Sequence, residues 1–354
     1  MVIDKSLDEM APAPAVPDGE QQRRRPKAIA QWSDQIGLTI GLVILIVFYS
    51  YTAPNFLTWD NLTNILQQSS YVGIIACGMT LVILAGEIDV SVGSATALSG
   101  VVLALLLEGG MDWPLAVSAT VLIGTFIGVF AGFIRAAFLI PSFIVTLALY
   151  GALRGLALML TDAIPQAPEA FSNSFFTFLG TGKVLGLPTP AAVLIVLFVV
   201  FWLIATKTTF GKQIYAVGGN PEAAYLAGIH IFRIRIALFA ITGGLSAIAG
   251  ILLAAGLGSG DPSTSQGLEF DVIAAVIVGG TSLFGGKGTM IGTVLGVLFI
   301  GVLGNGLVLL GIDPYANFVV QGVVILAAVL VMSSGLRDQL RDLAKRVRRK
   351  GREQ

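Results

Sequence analysis

The chain has 354 residues, of which 55% are hydrophobic and 12% are charged, whereas about a quarter of the residues in a soluble domain carry charge. Because a soluble fold of this length cannot bury so much apolar surface, the composition predicts a membrane protein that uses the lipid bilayer as part of its solvent. The single cysteine and the single histidine exclude a disulfide framework, a thiolate zinc site and a histidine metal cluster, and the net charge of zero gives no support to nucleic-acid binding. We therefore expect no metal site, no nucleic-acid partner and no catalytic residue.

The order of polar and apolar segments predicts an all-α polytopic membrane protein. Residues 1–35 are polar and contain several prolines and arginines, which indicates a disordered cytoplasmic tail, and residues 335–354 are predicted to be a basic cytoplasmic tail. Between them, residues 36–334 contain about ten apolar blocks of the length that a transmembrane helix needs. The predicted spans are 36–53, 65–86, 91–107, 114–134, 142–160, 190–206, 234–257, 272–286, 289–310 and 317–334. Short or broken helices are expected near 87–100 and 272–288.

The basic residues predict the side of the membrane on which each loop lies. With the N-terminus inside, every lysine and arginine except Arg154 and Lys183 falls on the inner side, as the positive-inside rule requires. This sorting predicts that both termini are cytoplasmic and that the number of spans is even. Arg154 falls within a span, where a guanidinium group needs either an inward-facing partner, for which Asp162 is the candidate, or an aqueous path.

Glycines at four-residue spacing predict close helix packing. They occur in three of the predicted spans, where small residues let two backbones approach. The repeats are Gly124, Gly128 and Gly132; Gly151 and Gly155; and Gly292 and Gly296.

A first polar motif, residues 86–94, lies between the second and third predicted spans. Its carboxylates Glu87 and Asp89, near Ser91 and Gly93, could bind a cation or relay a proton. The same residues could instead cap the third helix, because Asp89 or Ser91 can accept hydrogen bonds from its free N–H groups. The pattern favours the cap, since a proton-coupled carrier needs an ionisable group deeper in the bilayer.

A second motif, residues 279–289, is rich in glycine and contains one lysine. Its candidate functional residues are Gly279, Gly280, Thr281, Gly285, Gly286 and Lys287. A phosphate-binding loop requires a glycine at position 281 and a serine or threonine after the lysine, and the chain has Thr281 and Gly288 there. The motif therefore predicts a re-entrant turn at the inner membrane face rather than a nucleotide site.

A third motif lies in the inner loop 207–235. Asn220 can cap a short helix that Pro221 opens, Glu222 suits its first turn, and Gly228 ends it. Such an amphipathic helix could rest on lipid headgroups or dock a cytosolic partner, and the residues alone leave both interpretations open.

These motifs resemble a known family. Glu222, Ala223 and Ala224, followed by Gly228, resemble the coupling loop of the membrane subunits of bacterial ABC importers. Residues 88–94, 218–229 and 273–311 together resemble the ribose-type branch of carbohydrate importers, and the resemblance extends over about residues 55–332. Glu87 departs from the pattern, since relatives often carry a small residue there, and this leaves the substrate open.

The resemblance implies a permease subunit in the bacterial inner membrane that forms the translocation path for a monosaccharide or a related small polyhydroxylated solute. It implies three partners: a second membrane subunit, most simply an identical copy; a cytosolic ABC ATPase, which binds the ATP and Mg²⁺; and a periplasmic sugar-binding protein. This chain itself is then expected to bind no cofactor. The residues implied in coupling to the ATPase are Gly218, Gly219, Asn220, Glu222, Ala223, Ala224 and Gly228.

Polar residues within the spans are candidates for the substrate path, because amides and hydroxyls can exchange hydrogen bonds with sugar hydroxyl groups. They are Gln67, Gln68, Ser69, Ser70, Asn305 and Gln321. Each could instead hold neighbouring helices together. The acidic outer segment 258–271, with Asp261 and Glu269, is the expected dock for the binding protein. The alternative function is an ion-coupled secondary carrier or channel that uses Glu87 and Asp89.

Overall fold

The computed structural model describes residues 27–313 and, beyond them, residues 315, 316, 319, 320, 322, 323 and 326. Within these residues the fold is almost entirely helical, as predicted, and a ribbon of two very short antiparallel strands, β1 (Lys183–Val184) and β2 (Leu187–Pro188), is its only named sheet. The helices are α1 (Lys27–Thr52), α2 (Trp59–Leu84), α3 (Val92–Glu108), α4 (Trp113–Phe138), α5 (Ser142–Leu160), α6 (Ser174–Thr181), α7 (Thr189–Lys207), α8 (Thr209–Gly219), α9 (Pro221–Leu226), α10 (Ile231–Leu257), α11 (Leu268–Val278) and α12 (Met290–Leu309). A 3-10 helix spans Glu169–Ser172.

Seven helices of the described chain are long and apolar enough to cross a membrane: α1, α2, α4, α5, α7, α10 and α12. The apolar helix α3 is shorter, with 17 residues, and α11 has 11. The tenth predicted span, 317–334, falls mostly outside the described residues, as does the tail 335–354. Helix α1 begins at Lys27, inside the predicted tail 1–35; residues 1–26 are outside the description.

Helices α2 and α10 form the centre of the bundle, because both are buried along most of their length. Helix α4 packs on α10 through its glycine repeat, and a Cβ added at Gly128 would overlap the carbonyl oxygen of Phe239. Helix α12 packs on α11 in the same way, since a Cβ at Gly296 would overlap the carbonyl oxygen of Ala275. These two repeats confirm the predicted close packing. Gly151 and Gly155 are exposed on α5, and a Cβ on either would meet no atom of the described chain within 4 Å.

Two apolar segments are interrupted by non-helical backbone; the first lies at the predicted break near 87–100, whereas the second precedes the short helix α11, and the 279–289 loop that follows α11 overlaps the predicted range 272–288. Residues 85–91 separate α2 from α3, and residues 258–267 separate α10 from α11. The second segment descends into the bundle beside α3 and α5. Gly260 forms two backbone hydrogen bonds with Gln166, of 2.8 and 3.1 Å, and a Cβ at Gly93 would lie 2.9 Å from the carbonyl oxygen of Ser265.

The position of residues 258–267 within the bundle contradicts two predictions. Glu269 was expected on an exposed outer segment, but it is fully buried against Gly93, because the chain enters the bundle before α11 starts. Arg154 was expected to pair with Asp162, but its Nη1 donates instead to the carbonyl oxygens of Pro262, at 2.5 Å, and Thr264, at 2.7 Å. The guanidinium group therefore fixes the non-helical segment to α5.

Candidate functional site

The three motifs that the sequence singles out meet at one point, at the end of the bundle that carries α8 and α9. The end of α2, the end of α8 and the loop between α11 and α12 make backbone contacts there. The amide nitrogen of Gly286 donates to the carbonyl oxygen of Leu84 at 2.8 Å. The residues of this contact, which we call the glycine junction, are Gly86, Gly218, Gly285 and Gly286; Gly219 lies beside it, and a Cβ there would meet no described atom within 4 Å.

The glycine junction depends on the absence of side chains. A Cβ at Gly218 would overlap the carbonyl oxygen of Leu84 and lie 2.7 Å from the amide nitrogen of Gly286. Gly285 and Gly286 have φ values of +80° and +70°, which residues with a Cβ adopt only with strain. The three backbones are therefore held at a separation that no other residue type permits. A displacement of α8 would act directly on the end of α2 and on the loop between α11 and α12.

Helix α9 has the local structure that the sequence predicts. The side-chain oxygen of Asn220 accepts a hydrogen bond from the amide nitrogen of Ala223 at 3.0 Å, and Gly228, with φ of +82°, ends the helix. Ala224 faces inward and is 4% exposed, while Glu222 and Ala223 face outward. Helix α9 thus presents a small exposed surface next to the glycine junction.

Helix α8 connects that surface to the membrane helices. Thr208 caps its first turn by accepting from the amide nitrogen of Gly211 at 3.1 Å. The hydroxyl group of Tyr215 donates to the carbonyl oxygen of Gly288 at 2.8 Å, in the loop between α11 and α12. Burial raises the pKa of this phenol above its ordinary value, which keeps it protonated as a donor. Together with Gly218, this contact couples α8 to the 279–289 loop at two points.

The 279–289 loop forms a turn between α11 and α12. Gly279 packs on Gly292, and Gly280 has φ of +89° where α11 ends. Lys287 is exposed, and its carbonyl oxygen accepts from the amide nitrogen of Ser282 at 2.9 Å. Thr281 is fully buried, and its hydroxyl has no hydrogen-bond partner among the described residues.

Glu87 connects the 85–91 segment to two other helices. Its carboxylate is 2% exposed and lies 2.8 Å from the Nε of Arg135, in the last turn of α4, and 2.7 Å from the Nε of Arg235, in the second turn of α10. A buried carboxylate shared by two guanidinium groups is held in place, because removing it would leave like charges facing each other. Glu87 thus links the end of α4 to the start of α10, and we call these three charged residues the Glu87 cluster.

Asp89 does not cap α3 in the predicted way. Its Oδ1 accepts from the amide nitrogen of Ser91 at 3.0 Å and from the hydroxyl of Ser91 at 2.6 Å, and the Ser91 side chain makes no cap hydrogen bond to α3. The backbone on either side is fixed to α5, since Ile88 donates to Ser142 and Val90 donates to Thr146. The local turn at Asp89 competes with the cap for the same side chains, so the capping prediction is wrong in detail.

A cavity of about 490 Å³ opens between α2, α11 and α12. Of the predicted path residues, it is lined by Gln68, Ser69 and Asn305. The amide of Asn305 also exchanges two hydrogen bonds, of 2.9 and 3.0 Å, with the amide of Asn61. Asn305 therefore fits both interpretations, because it forms part of the cavity wall and also holds α12 against α2.

The other predicted path residues lie elsewhere. Gln67 donates to the carbonyl oxygen of Gly180 at 3.1 Å, and Ser70 is fully buried and donates to the carbonyl oxygen of Leu66. The first hydrogen bond joins α2 to α6, and the second lies within α2. Gln321 falls outside the described residues.

The cavity wall also includes polar residues that sequence reasoning missed, namely Asn64, Ser265 and Asp271. Ser265 and Asp271 were assigned to an outer loop. The sequence contains one indication that they lie within the bundle. Asp271 is part of an apolar run that is too short to span a bilayer. Within the described residues, no three His, Cys, Asp or Glu side chains are grouped so as to hold a metal ion.

Comparisons with known proteins agree with this architecture. Residues 61–329 match the family described as "Branched-chain amino acid transport system / permease component". The chain is 48% identical to the probable ABC transporter permease protein YphD of Escherichia coli K12, over 85% of this chain and 90% of that protein. It is 43% identical to the ribose import permease protein RbsC of Escherichia coli K12, over 82% and 91%, and 38% identical to the L-arabinose transport system permease protein AraH of the same strain, over 88% and 93%. No solved structure matches the chain.

Proposed function

The chain belongs to the permease family of branched-chain amino acid transport systems, and from this premise we propose that it forms the translocation path of an ATP-driven sugar importer. The solute is a monosaccharide or a related small polyhydroxylated compound. Two relatives named for ribose and L-arabinose transport, each aligned with this chain over more than 90% of its own length, support that class. The protein is a multi-pass protein of the bacterial inner membrane.

We propose that the chain crosses the membrane ten times, with both termini in the cytoplasm. The described helices supply seven long spans, and α3, α11 and the apolar block at 317–334 would supply the others. Helices α8 and α9 then lie on the cytoplasmic side, together with Lys287 and the Glu87 cluster. The positive-inside rule supports this orientation.

The partners follow from the same proposal. A second membrane subunit, in the simplest case an identical copy, completes the path, a periplasmic binding protein delivers the sugar, and a cytosolic ABC ATPase hydrolyses ATP. ATP and Mg²⁺ bind the ATPase, so this chain carries no catalytic residue and no cofactor. Glu269 is buried, so the surface that receives the binding protein consists of other outer residues, including Asp261.

The observation that carries the coupling mechanism is the glycine junction at the end of α8. The ATPase binds the exposed surface of α9, and its motion moves α8. Because Gly218 contacts Leu84 and Gly286 without intervening side chains, this motion reaches α2 and the loop before α12. Through Glu87 it also reaches α4 and α10. The membrane helices then alternate between inward and outward access.

The contacts of Glu87 and Asp89 argue against an ion-coupled carrier that uses these two carboxylates. Glu87 is occupied by two guanidinium groups and Asp89 by the Ser91 turn. A carrier would transport solute in liposomes along an ion gradient with no ATPase present. An importer subunit gives no uptake under those conditions.

The coupling role of α9 is tested with Glu222→Arg. The transporter is purified with its ATPase and reconstituted in liposomes, and ATP-dependent sugar uptake and ATPase co-purification are measured. Glu222 lies in the first turn, at the positive end of the helix dipole, so the arginine both destabilises α9 and reverses its surface charge. We expect loss of uptake and of the bound ATPase, with normal membrane insertion.

The matched control is Glu108→Arg. Glu108 is also exposed, at the end of α3 remote from α9, and this variant should retain the ATPase. Full uptake by Glu222→Arg would refute the coupling role of α9.

A further inference from the structure

We propose that the cavity between α2, α11 and α12 is a sugar-binding site within the translocation path, in which the carboxyl group of Asp271 accepts hydrogen bonds from the hydroxyl groups of the solute. This inference rests on the proposed function, because it assigns a contact to the solute of that importer. It goes beyond that function by naming the residues that recognise the solute in the membrane.

The cavity has the size and the mixed lining of a small-molecule site. Its volume of about 490 Å³ lies within the range of roughly 300 to 1,000 Å³ that is usual for such sites. Apolar side chains such as Leu253, Val297 and Ile300 form part of the wall. Polar groups project from two sides, one from α2 and one from the start of α11. A sugar, with apolar ring faces and a rim of hydroxyls, fits such a lining.

The wall at the start of α11 carries unsatisfied polar atoms. The Oδ1 atom of Asp271 and the Oγ atom of Ser265 are shut off from solvent, and neither has a hydrogen-bond partner in the part of the chain that the structure describes. Leaving such groups buried and unpaired costs free energy. Both residues line the cavity, so a rotation of their side chains would bring these atoms to a ligand held there, which can supply the missing partners.

The opposite wall, on α2, supplies complementary groups. Asn64 and Gln68 are four residues apart and therefore lie on the same face of the helix. Ser69 is 2% exposed, lines the cavity, and has a hydroxyl without a partner among the described residues. Each amide both donates and accepts, as each sugar hydroxyl does. A hydroxylated ring between the two walls can thus bond to both.

Arg154 does not line the cavity itself, but it fixes the segment that leads to Asp271. Its Nη1 holds the carbonyl oxygens of Pro262 and Thr264, which fixes the non-helical segment that leads into α11. Since α11 begins only at Leu268, Asp271 falls in its first turn, beside the cavity. A carboxyl group there can accept from the hydroxyl groups of a neutral polyhydroxylated solute.

The test compares Asp271→Ala with the wild-type transporter, complete with its ATPase and binding protein, in proteoliposomes. Labelled D-ribose, L-arabinose and D-galactose are offered, and the sugar taken up fastest is then compared with its series of monodeoxy analogues. The binding protein is the same in both samples, so its own selectivity cancels in the ratio of wild-type to variant uptake. This ratio reports only what the membrane subunit recognises.

We expect Asp271→Ala to lower uptake of the parent sugar by at least about tenfold, the size of one hydrogen bond to a carboxylate. For the analogue that lacks the contacted hydroxyl, the ratio of wild-type to variant uptake should fall toward one. An equal ratio for every analogue would overturn the inference while leaving the proposed function in place. If the wild-type protein binds no ATPase, or moves solute along an ion gradient without ATP, the proposed function fails, and this inference with it.

Two further variants keep the test decisive if Asp271→Ala does not assemble. Asp271→Asn preserves the size of the side chain and enters the same comparison. Gly304→Leu fills the cavity, because Gly304 lines it and a Cβ there meets no described atom within 4 Å. Uptake should fall by at least about tenfold with the ATPase still bound. Gly37→Leu, at an exposed glycine of α1 with equally open space, is the matched control and should transport normally; wild-type uptake by Gly304→Leu would overturn the site.

Discussion

The glycine junction makes a sharp prediction for Gly218→Ala. The new Cβ would overlap the carbonyl oxygen of Leu84 and lie 2.7 Å from the amide nitrogen of Gly286. Both neighbours are backbone atoms, so they cannot move aside as a flexible side chain would. Overpacking of this kind costs about 1 to 3 kcal/mol, and loss of the 2.8 Å hydrogen bond between Gly286 and Leu84 adds about 1 kcal/mol. The combined cost of about 2 to 4 kcal/mol changes an equilibrium between two arrangements of the junction by about 30-fold or more.

The assay measures ATP-dependent sugar uptake and ATP hydrolysis by the same reconstituted transporter. We expect Gly218→Ala to lower uptake by at least about tenfold while the ATPase stays bound, because the exposed surface of α9 is unchanged. The neighbouring Gly219→Ala is the matched control. It makes the same chemical change in the same helix, but its Cβ would meet no atom within 4 Å among the residues that the structure describes. The reasoning is refuted if Gly218→Ala transports like the wild type, or if Gly219→Ala loses as much activity.

Two further predictions concern stability, measured as thermal unfolding of the detergent-purified protein. Glu87→Gln should destabilise it by about 3 to 5 kcal/mol, because Arg135 and Arg235 lose the carboxylate that both contact; Arg235→Gln should cost less, since Glu87 keeps Arg135, and the reverse order would contradict this arrangement. Gly128→Leu should prevent assembly of a stable protein, because its Cβ would overlap the backbone of α10. Gly151→Leu, with open space around it, should fold. Equal stability of the two leucine variants would show that α4 and α10 are not in close contact.

The parts of the structure that the sequence could predict are those set by local interactions. Helix α9 is an example, because Asn220, Pro221 and Gly228 each act on backbone groups within a few residues. The seven long spans, which are α1, α2, α4, α5, α7, α10 and α12, follow from apolar length alone. The glycine repeats of α4 and α12 were also readable, since their spacing puts every glycine on one face.

The glycine junction could not be predicted in the same way. It joins Leu84, Gly218 and Gly286, which are far apart in the chain, through backbone atoms that leave no side-chain pattern in the sequence. The resemblance to ABC importers indicated that all three motifs matter but gave no contact between them. The salt bridges from Glu87 to Arg135 and Arg235 could not be predicted for the same reason. The positive-inside rule places these residues near the same side of the membrane, but it does not say which of them form pairs.

The expectation that Glu269 lies on an exposed outer segment was wrong, and the length of α11 explains why. A polar run rich in glycine and serine has the same composition whether it faces water outside the membrane or lines a cavity within it. Helix α11 has 11 residues, which rise about 16 Å and cover roughly half of the 30 Å of hydrocarbon. A span built on α11 must therefore cross the remaining depth with the non-helical residues that precede it. Irregular backbone at that depth is tolerated only where protein buries it or where it lines a polar cavity, and Ser265 and Asp271 line such a cavity.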